Sequence, residues 1–276
     1  MKTHFSYCEY HLGDNLAHLQ FLRAMAQTYP QHSFVHFVHG CYMKQLSDVV
    51  CDIPTITLGE IAKSGHTSGL RNVWKNAGGF WENHRYRNDY SLFYIEWFRH
   101  LAAEMGLESP IFSPTGLVFD YPKLLEPAWP GMEFDYLIIN SRPQSGQFMA
   151  YDHVDYFDPL IEELTRAGKR VACTQTSVAA VLAGAKVTTR SYADYPVVDS
   201  PLTITQIGNL SLRCKNIIAV ATGPMWPCHN IWRVLHPSNE MGKFVVCIDC
   251  PERNIIQGNG VHYARNMREI REAIGL

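Results

Sequence analysis

The chain has 276 residues, is 46% hydrophobic, and sets 24 Lys+Arg against 26 Asp+Glu for a net charge of −2. That composition supports a sizeable core and excludes a disordered chain. The absence of a dominant basic stripe argues against nucleic acid as the main partner, and no apolar run is long enough for a membrane span, so no integral membrane segment is expected.

The length is generous for one open α/β domain and comfortable for two of roughly 130 residues. Met1-Lys2-Thr3-His4 leads into a mixed stretch without the apolar segment of a signal peptide. Eight cysteines are scattered, and Cys8, Cys41, Cys51, Cys173 and Cys214 sit in apolar or strand-like contexts. They read as buried free thiols in a reducing compartment. A cytoplasmic protein is expected.

Residues 2–9 suit a first strand. His11-Leu12-Gly13-Asp14-Asn15-Leu16 follows, with Gly13 permitting a sharp turn. Asp14 sits where a helix begins, a position that favours a carboxylate as a cap and against the helix dipole. Leu16, Leu19, Phe21, Leu22 and Met25 form a helical stripe ended by Tyr29-Pro30. Residues 33–40 read as a second strand, completing a βαβ unit. Asp14 therefore has two readings: a helix cap, or a carboxylate facing a ligand at the first βα turn, where doubly wound sheets bind ligands.

Residues 42–48 suggest a short helix and 53–58 a strand shortened by Pro54. Residues 64–90 combine Gly65, Gly69, Gly78 and Gly79 with Trp74, Phe80, Trp81 and a dense polar set. This stretch reads either as an acceptor-binding insertion or as a lid over the sheet edge. Ser91 to Gly106 is a predicted helix closed by its glycine.

Residues 120–133 carry Pro122, Pro127, Pro130 and Gly131, the composition of an interdomain linker. A second α/β pattern then starts. Strands are expected at 134–140, 170–174, 216–220 and 244–248, and helices at 157–167, 176–183, 202–212 and 263–274. The expected architecture is α/β, with two Rossmann-like domains, 1–125 and 134–276, and a cleft between them.

Two turns carry a resemblance. Gly13-Asp14 after the first strand, with the Leu-x-x-Leu-Arg-Ala helix ending in Tyr29-Pro30, resembles the opening of heptosyltransferase-like glycosyltransferases. Thr222-Gly223-Pro224-Met225, after an apolar strand, resembles their nucleotide-binding turn. The order agrees over most of the chain, and least over 40–110. Ala221 stands where the family has an acidic or small polar residue, and Trp226 where it has His. The resemblance implies the GT-B fold, a nucleotide-diphosphate sugar donor held mainly by the second domain, and a glycan or small-molecule acceptor held mainly by the first. It also implies inversion at the sugar, and neither metal nor cofactor.

Glycosyl transfer needs a base for the acceptor hydroxyl and an anion site for the leaving diphosphate. Asp14 is the expected base. The donor set is Gly13, Asn15, Arg142, Thr222, Gly223, Pro224 and Met225. Within it the Thr222-Gly223 amides, the helix dipole behind them and the Thr222 hydroxyl face the phosphates. Arg142 adds a guanidinium there or, on its bland reading, forms a surface ion pair.

Cys247-Ile248-Asp249-Cys250, with Cys228, His229 and His236 upstream, makes a zinc site conceivable, but buried thiols are the preferred reading. His36 and His39 alternate along a strand and read as core or rim histidines. No P-loop, Gly-x-Gly-x-x-Gly or Gly-x-Ser-x-Gly is present. A non-catalytic nucleotide- or glycan-binding protein on the same scaffold is the alternative, and the role of Asp14 separates the two.

Overall fold

The structure is a computed structural model. It describes residues 2–8, 11–61, 70–73, 90–110, 117–126, 133–140, 154–174, 186–187, 203–235, 242–248, 256, 258 and 260–276. The chain divides into two compact units. The first is Met1–Lys123 with Glu252–Gln257, and the second is Leu124–Pro251 with Gly258–Leu276. The division falls inside the proline-rich stretch 120–133. The return of 252–257 to the first unit has no counterpart in the sequence reading.

In the first unit, β1 (Lys2–Tyr7), β2 (His32–Val38), β3 (Ile56–Glu60) and β4 (Arg71–Asn72) form a parallel sheet in the order β3-β2-β1-β4. Helix α1 (Leu12–Thr28) joins β1 to β2, and α2 (Gly40–Val50) joins β2 to β3. His4 and Ser6 of β1 and Phe34, His36 and Val38 of β2 lie on one face of the sheet and are buried.

Helix α1 was expected to bury one stripe. It buries far more, including Ala17, His18, Leu19, Phe21, Leu22, Arg23 and Met25. The reason is a second cover, helix α3 (Tyr90–Glu104). Phe98 of α3 stacks on Phe21 at 5.0 Å, and Trp97 donates through Nε1 to the Val73 carbonyl at 2.6 Å. Helix α3 ends as its sequence requires, with Gly106 at φ 71° and the Leu107 N–H reaching back to the Ala102 carbonyl.

In the second unit, β5 (Phe134–Ile139), β6 (Val171–Cys173), β7 (Lys186–Val187), β8 (Cys214–Val220), β9 (Phe244–Cys247) and β10 (Val261–Ala264) form a parallel sheet in the order β10-β9-β8-β5-β6-β7. Counted from β5, this is the 3-2-1-4-5-6 order of a dinucleotide-binding sheet. Helices α4 (Asp158–Arg166) and α5 (Ile204–Ser211) follow β5 and β7. A 3₁₀ turn (Gly223–Cys228) and α6 (Ile231–Leu235) follow β8, and α7 (Met267–Ile274) follows β10.

Residues 263–274 were expected to be one helix. Val261–Ala264 instead pairs with β9, and α7 starts only after Asn266, whose side chain caps the Glu269 N–H at 3.1 Å. The expected helix at 176–183 and most of 64–90 lie outside the described residues.

Gly208 of α5 faces the 3₁₀ turn. A Cβ there would lie 2.6 Å from Leu124 Cδ2, 2.7 Å from Pro227 Cβ and 2.9 Å from the Pro227 carbonyl oxygen. Alanine normally stabilises a helix by about 1 kcal/mol relative to glycine. Here overpacking against backbone outweighs that gain, so Gly208→Ala should lower stability by about 1–3 kcal/mol in urea unfolding. A gain in stability would show that the turn yields without strain.

Candidate functional site

The described strands all pair in parallel, so their βα turns emerge at the C-terminal edge of each sheet, and in each unit the order of the described strands reverses once. In the first unit the reversal lies between β1 and β4, and the turn after β1 is the one carrying Asp14. In the second it lies between β5 and β8. The turn after β8 carries Thr222-Gly223, and the segment after β5 carries Arg142. These are the crevices where open α/β sheets hold ligands.

The turn after β1 differs from its expected form. Helix α1 begins at Leu12, with His11 as an N-cap residue that makes no side-chain cap bond. Gly13 is therefore already helical and shows no positive φ. Asp14 is the third helical residue, not the cap. Its carboxylate accepts from the His11 backbone N–H, the reach-back that an acid at this position makes. The side chain is half-buried, and desolvation pushes its pKa from 3.8 up to about 6, against the lowering pull of the His11 charge and of that amide. A carboxyl group so perturbed at a strand-end turn is a mark of functional sites.

Asn15, expected in the donor set, lies in the first turn of α1. Its side chain is fully buried. Its Nδ2 donates to the His11 carbonyl at 3.0 Å, and its Oδ1 lies 3.1 Å from His36 Nε2. Beyond it, His36 Nδ1 lies 3.0 Å from Ser6 Oγ, and Ser6 Oγ lies 3.1 Å from His18 Nε2. The rings of His18 and His36 are 4.5 Å apart.

Chemistry fixes the direction of these bonds. A carbonyl only accepts, so the Asn15 amide nitrogen must face His11 and its oxygen must face His36. His36 Nε2 must then carry hydrogen. Complete burial holds the His36 pKa down at about 3, so the ring is neutral and Nδ1 accepts from the Ser6 hydroxyl. Ser6 Oγ in turn accepts from His18 Nε2–H. Ser6, His18 and His36 were not singled out as a group from sequence, because their association spans β1, α1 and β2. A Ser–His pair invites comparison with a hydrolase, but Ser6 is 2% exposed and both histidines 0%, so no substrate carbonyl reaches the hydroxyl.

At the second edge, a helix dipole was expected behind Thr222-Gly223. The structure has the six-residue 3₁₀ turn, with Pro224 and Pro227 inside it. The Thr222 N–H bonds the Val220 carbonyl at 2.7 Å, and its hydroxyl donates to the same oxygen at 3.3 Å. Pro224 has no N–H, and the Met225 N–H returns to the Thr222 carbonyl at 3.0 Å. The Gly223 amide is thus the donor this turn has to offer a ligand. Pro224 and Met225 are buried and serve as the turn's footing. Arg142 lies outside the described residues.

Cys228 and Cys247 are 0% exposed, and burial raises the pKa of each, that of Cys228 to about 12. Cys250 and His236 lie outside the described residues, among which no metal-holding group of His, Cys, Asp and Glu occurs. Cys41 and Cys51, expected to be buried, are exposed beside the two ends of α2.

No protein-family model matches the chain. No curated protein sequence matches it either. Solved structures do. E. coli heptosyltransferase WaaC with ADP-2-deoxy-2-fluoro heptose aligns over 96% of this chain and 93% of its own, with TM-score 0.58 at 14% identity. E. coli ADP-heptose lps heptosyltransferase II aligns over 100% and 98%, with TM-score 0.50 at 10% identity. The glycosyl transferase family 9 structure from Veillonella parvula DSM 2008 aligns over 100% and 90%, with TM-score 0.52 at 12% identity. With its parallel sheets and their strand order, the chain has a heptosyltransferase-like α/β fold.

Proposed function

We propose that the chain is a glycosyltransferase of GT-B architecture that moves a sugar from a nucleotide-diphosphate sugar to a hydroxyl acceptor, with inversion and without a metal. The observation that carries this reading is Asp14. It is a half-buried carboxyl at the reversal point of the first sheet, tuned to about 6, in a fold shared with structures solved with ADP and with an ADP-heptose analogue.

In this reading Asp14 takes the proton of the acceptor hydroxyl as its oxygen attacks the anomeric carbon, and the nucleoside diphosphate leaves from the opposite face. A base with a pKa near 6 is ionised at neutral pH yet basic enough to share a proton in the transition state. The Gly223 amide and Arg142 receive the leaving diphosphate. Thr222, Pro224 and Met225 shape that turn, and Gly13 keeps the first turn of α1 slim beside Asp14. The first domain holds the acceptor and the second the donor.

A thermal-shift screen of ADP, UDP, GDP and their sugars tests the donor assignment. A nucleotide at about 100 times its Kd stabilises a one-site protein by roughly 2.7 kcal/mol. The absence of any shift would defeat the reading. Arg142→Ala should weaken ADP binding by about 1.5–3 kcal/mol in calorimetry, since its bonds to phosphate are charge-assisted. Unchanged affinity removes Arg142 from the site.

Asp14→Asn tests the base. Turnover should fall by roughly 10²–10⁴-fold. The wild-type kcat/KM should rise with pH through about 6 as the carboxylate forms, and that limb should vanish in the variant. Stability should move the other way. The folded pKa lies above the unfolded one, so the folded protein binds the proton more tightly, and stability is lost as pH rises from 3.8 to about 6. Removing the ionisable group should therefore stabilise the protein at pH 7, by up to about 3 kcal/mol. A variant that melts earlier and turns over normally would reduce Asp14 to a structural helix residue.

A further inference from the structure

We infer that the buried chain His18–Ser6–His36–Asn15 is a positioning device for the Asp14 carboxylate, acting through the first turn of α1. The inference rests on the catalytic reading of Asp14 and adds what holds that group in place.

Three observations support it. The chain is directed, each member donating to the next, and it ends on the His11 carbonyl. That carbonyl belongs to the N-cap residue whose own N–H binds the Asp14 carboxylate. His11 and Asn15 thus bracket Asp14 on both sides, and both are tied, through Asn15, to the sheet. Second, the N-cap residue makes no side-chain cap bond, and its backbone is held by the Asp14 carboxylate on its N–H and by Asn15 on its carbonyl. The Asn15 amide adds a second bond to the His11 carbonyl, beside the Asn15 backbone N–H at 3.2 Å, and its oxygen accepts from His36 on β2. Third, the chain is entirely buried and its central ring, His36, is neutral over the working pH range, so that ring does not titrate when Asp14 does.

The groups that could confuse a titration of Asp14 are few. Among the described residues His11 is the titratable group acting on it. From the packed elements, His18 on α1 and His36 on β2 face the buried chain, and His39 is the exposed N-cap of α2. Truncating His36 removes the N–H donated to Asn15. A buried amide oxygen is then left without its donor, a cost the first turn relieves by shifting toward water. Asp14 would move with it.

The test is a carbon-13 NMR titration of aspartate-labelled full-length protein, wild type against His36→Leu and His36→Gln. Gln places an N–H near the Nε2 position and serves as the conservative rescue. In the wild type the Asp14 carboxyl should titrate near 6. In His36→Leu its midpoint should fall toward the ordinary carboxylate value by roughly one unit or more as water reaches it, and His36→Gln should restore most of the shift. Turnover with the nucleotide sugar that the thermal-shift screen selects should fall by at least ~10-fold in His36→Leu, since a small displacement of a catalytic group is that costly.

If His36→Leu lowers the melting temperature but leaves the Asp14 midpoint unmoved, the chain is core packing only and the inference is overturned. If His36→Leu fails to fold, Ser6→Ala takes its place, with the same expected direction and the same overturning result. Failure of the catalytic reading looks different. Asp14→Asn would then turn over normally, while the NMR comparison would still decide whether the chain positions the carboxyl.

Discussion

A parallel strand pair cannot be closed by a tight turn; the chain must leave one end of the sheet and cross back to the other. Every strand pairing among the described residues is parallel. This single constraint sends every βα turn to one edge and every return to the other. Where the winding direction reverses, two neighbouring turns splay apart and leave a crevice. Asp14 and Gly223 owe their positions to that geometry before any side-chain chemistry enters. The crossovers also explain the core. Helix α1, lying on the sheet and beneath α3, is buried on nearly all sides, so polar residues on it must find partners inside.

Arg23 finds Asp52 and the Val49 carbonyl, whereas His18 and Asn15 find partners on the strands below, Ser6 and His36. A buried polar network fixes a unique arrangement when every bond is made and destabilises the core when one is missing. The network in the first unit holds a neutral histidine at its centre and uses the tautomer of each ring. The carboxyl beside it is the opposite case. It stays ionised at neutral pH in a half-buried position at some expense to stability, as functional groups often do.

Much of the architecture was legible in the sequence. Tyr29-Pro30 stops α1, Gly106 stops α3, and apolar runs such as Phe134–Ile139 mark the buried strands. Errors cluster where local signals mislead. Gly13-Asp14 looks like a turn followed by a cap, but His11 already has the extended backbone of an N-cap and the helix has begun. Val261–Ala264 runs into the amphipathic pattern of α7 without a breaker, and only the spacing of Asn266 and Glu269 marks the helix start. The strand alternation did separate His36 from its neighbours but could not say that it meets Ser6 and Asn15. Such meetings are set by register, β1 against β2 with Ser6 opposite His36, which no local pattern encodes.

The cysteines give the fold a built-in clock. Cys8 is sealed in the first unit, and Cys173, Cys214, Cys228 and Cys247 are sealed in the second, with burial raising the pKa of each of these four. A thiol reagent reacts with thiolate, so these groups stay silent until their surroundings open. Cys41 and Cys51 are exposed at either end of α2 and register reagent without any opening. The delay between the fast and slow thiols therefore measures local unfolding. Because the slow thiols are divided between the units, it measures the opening of each sheet separately.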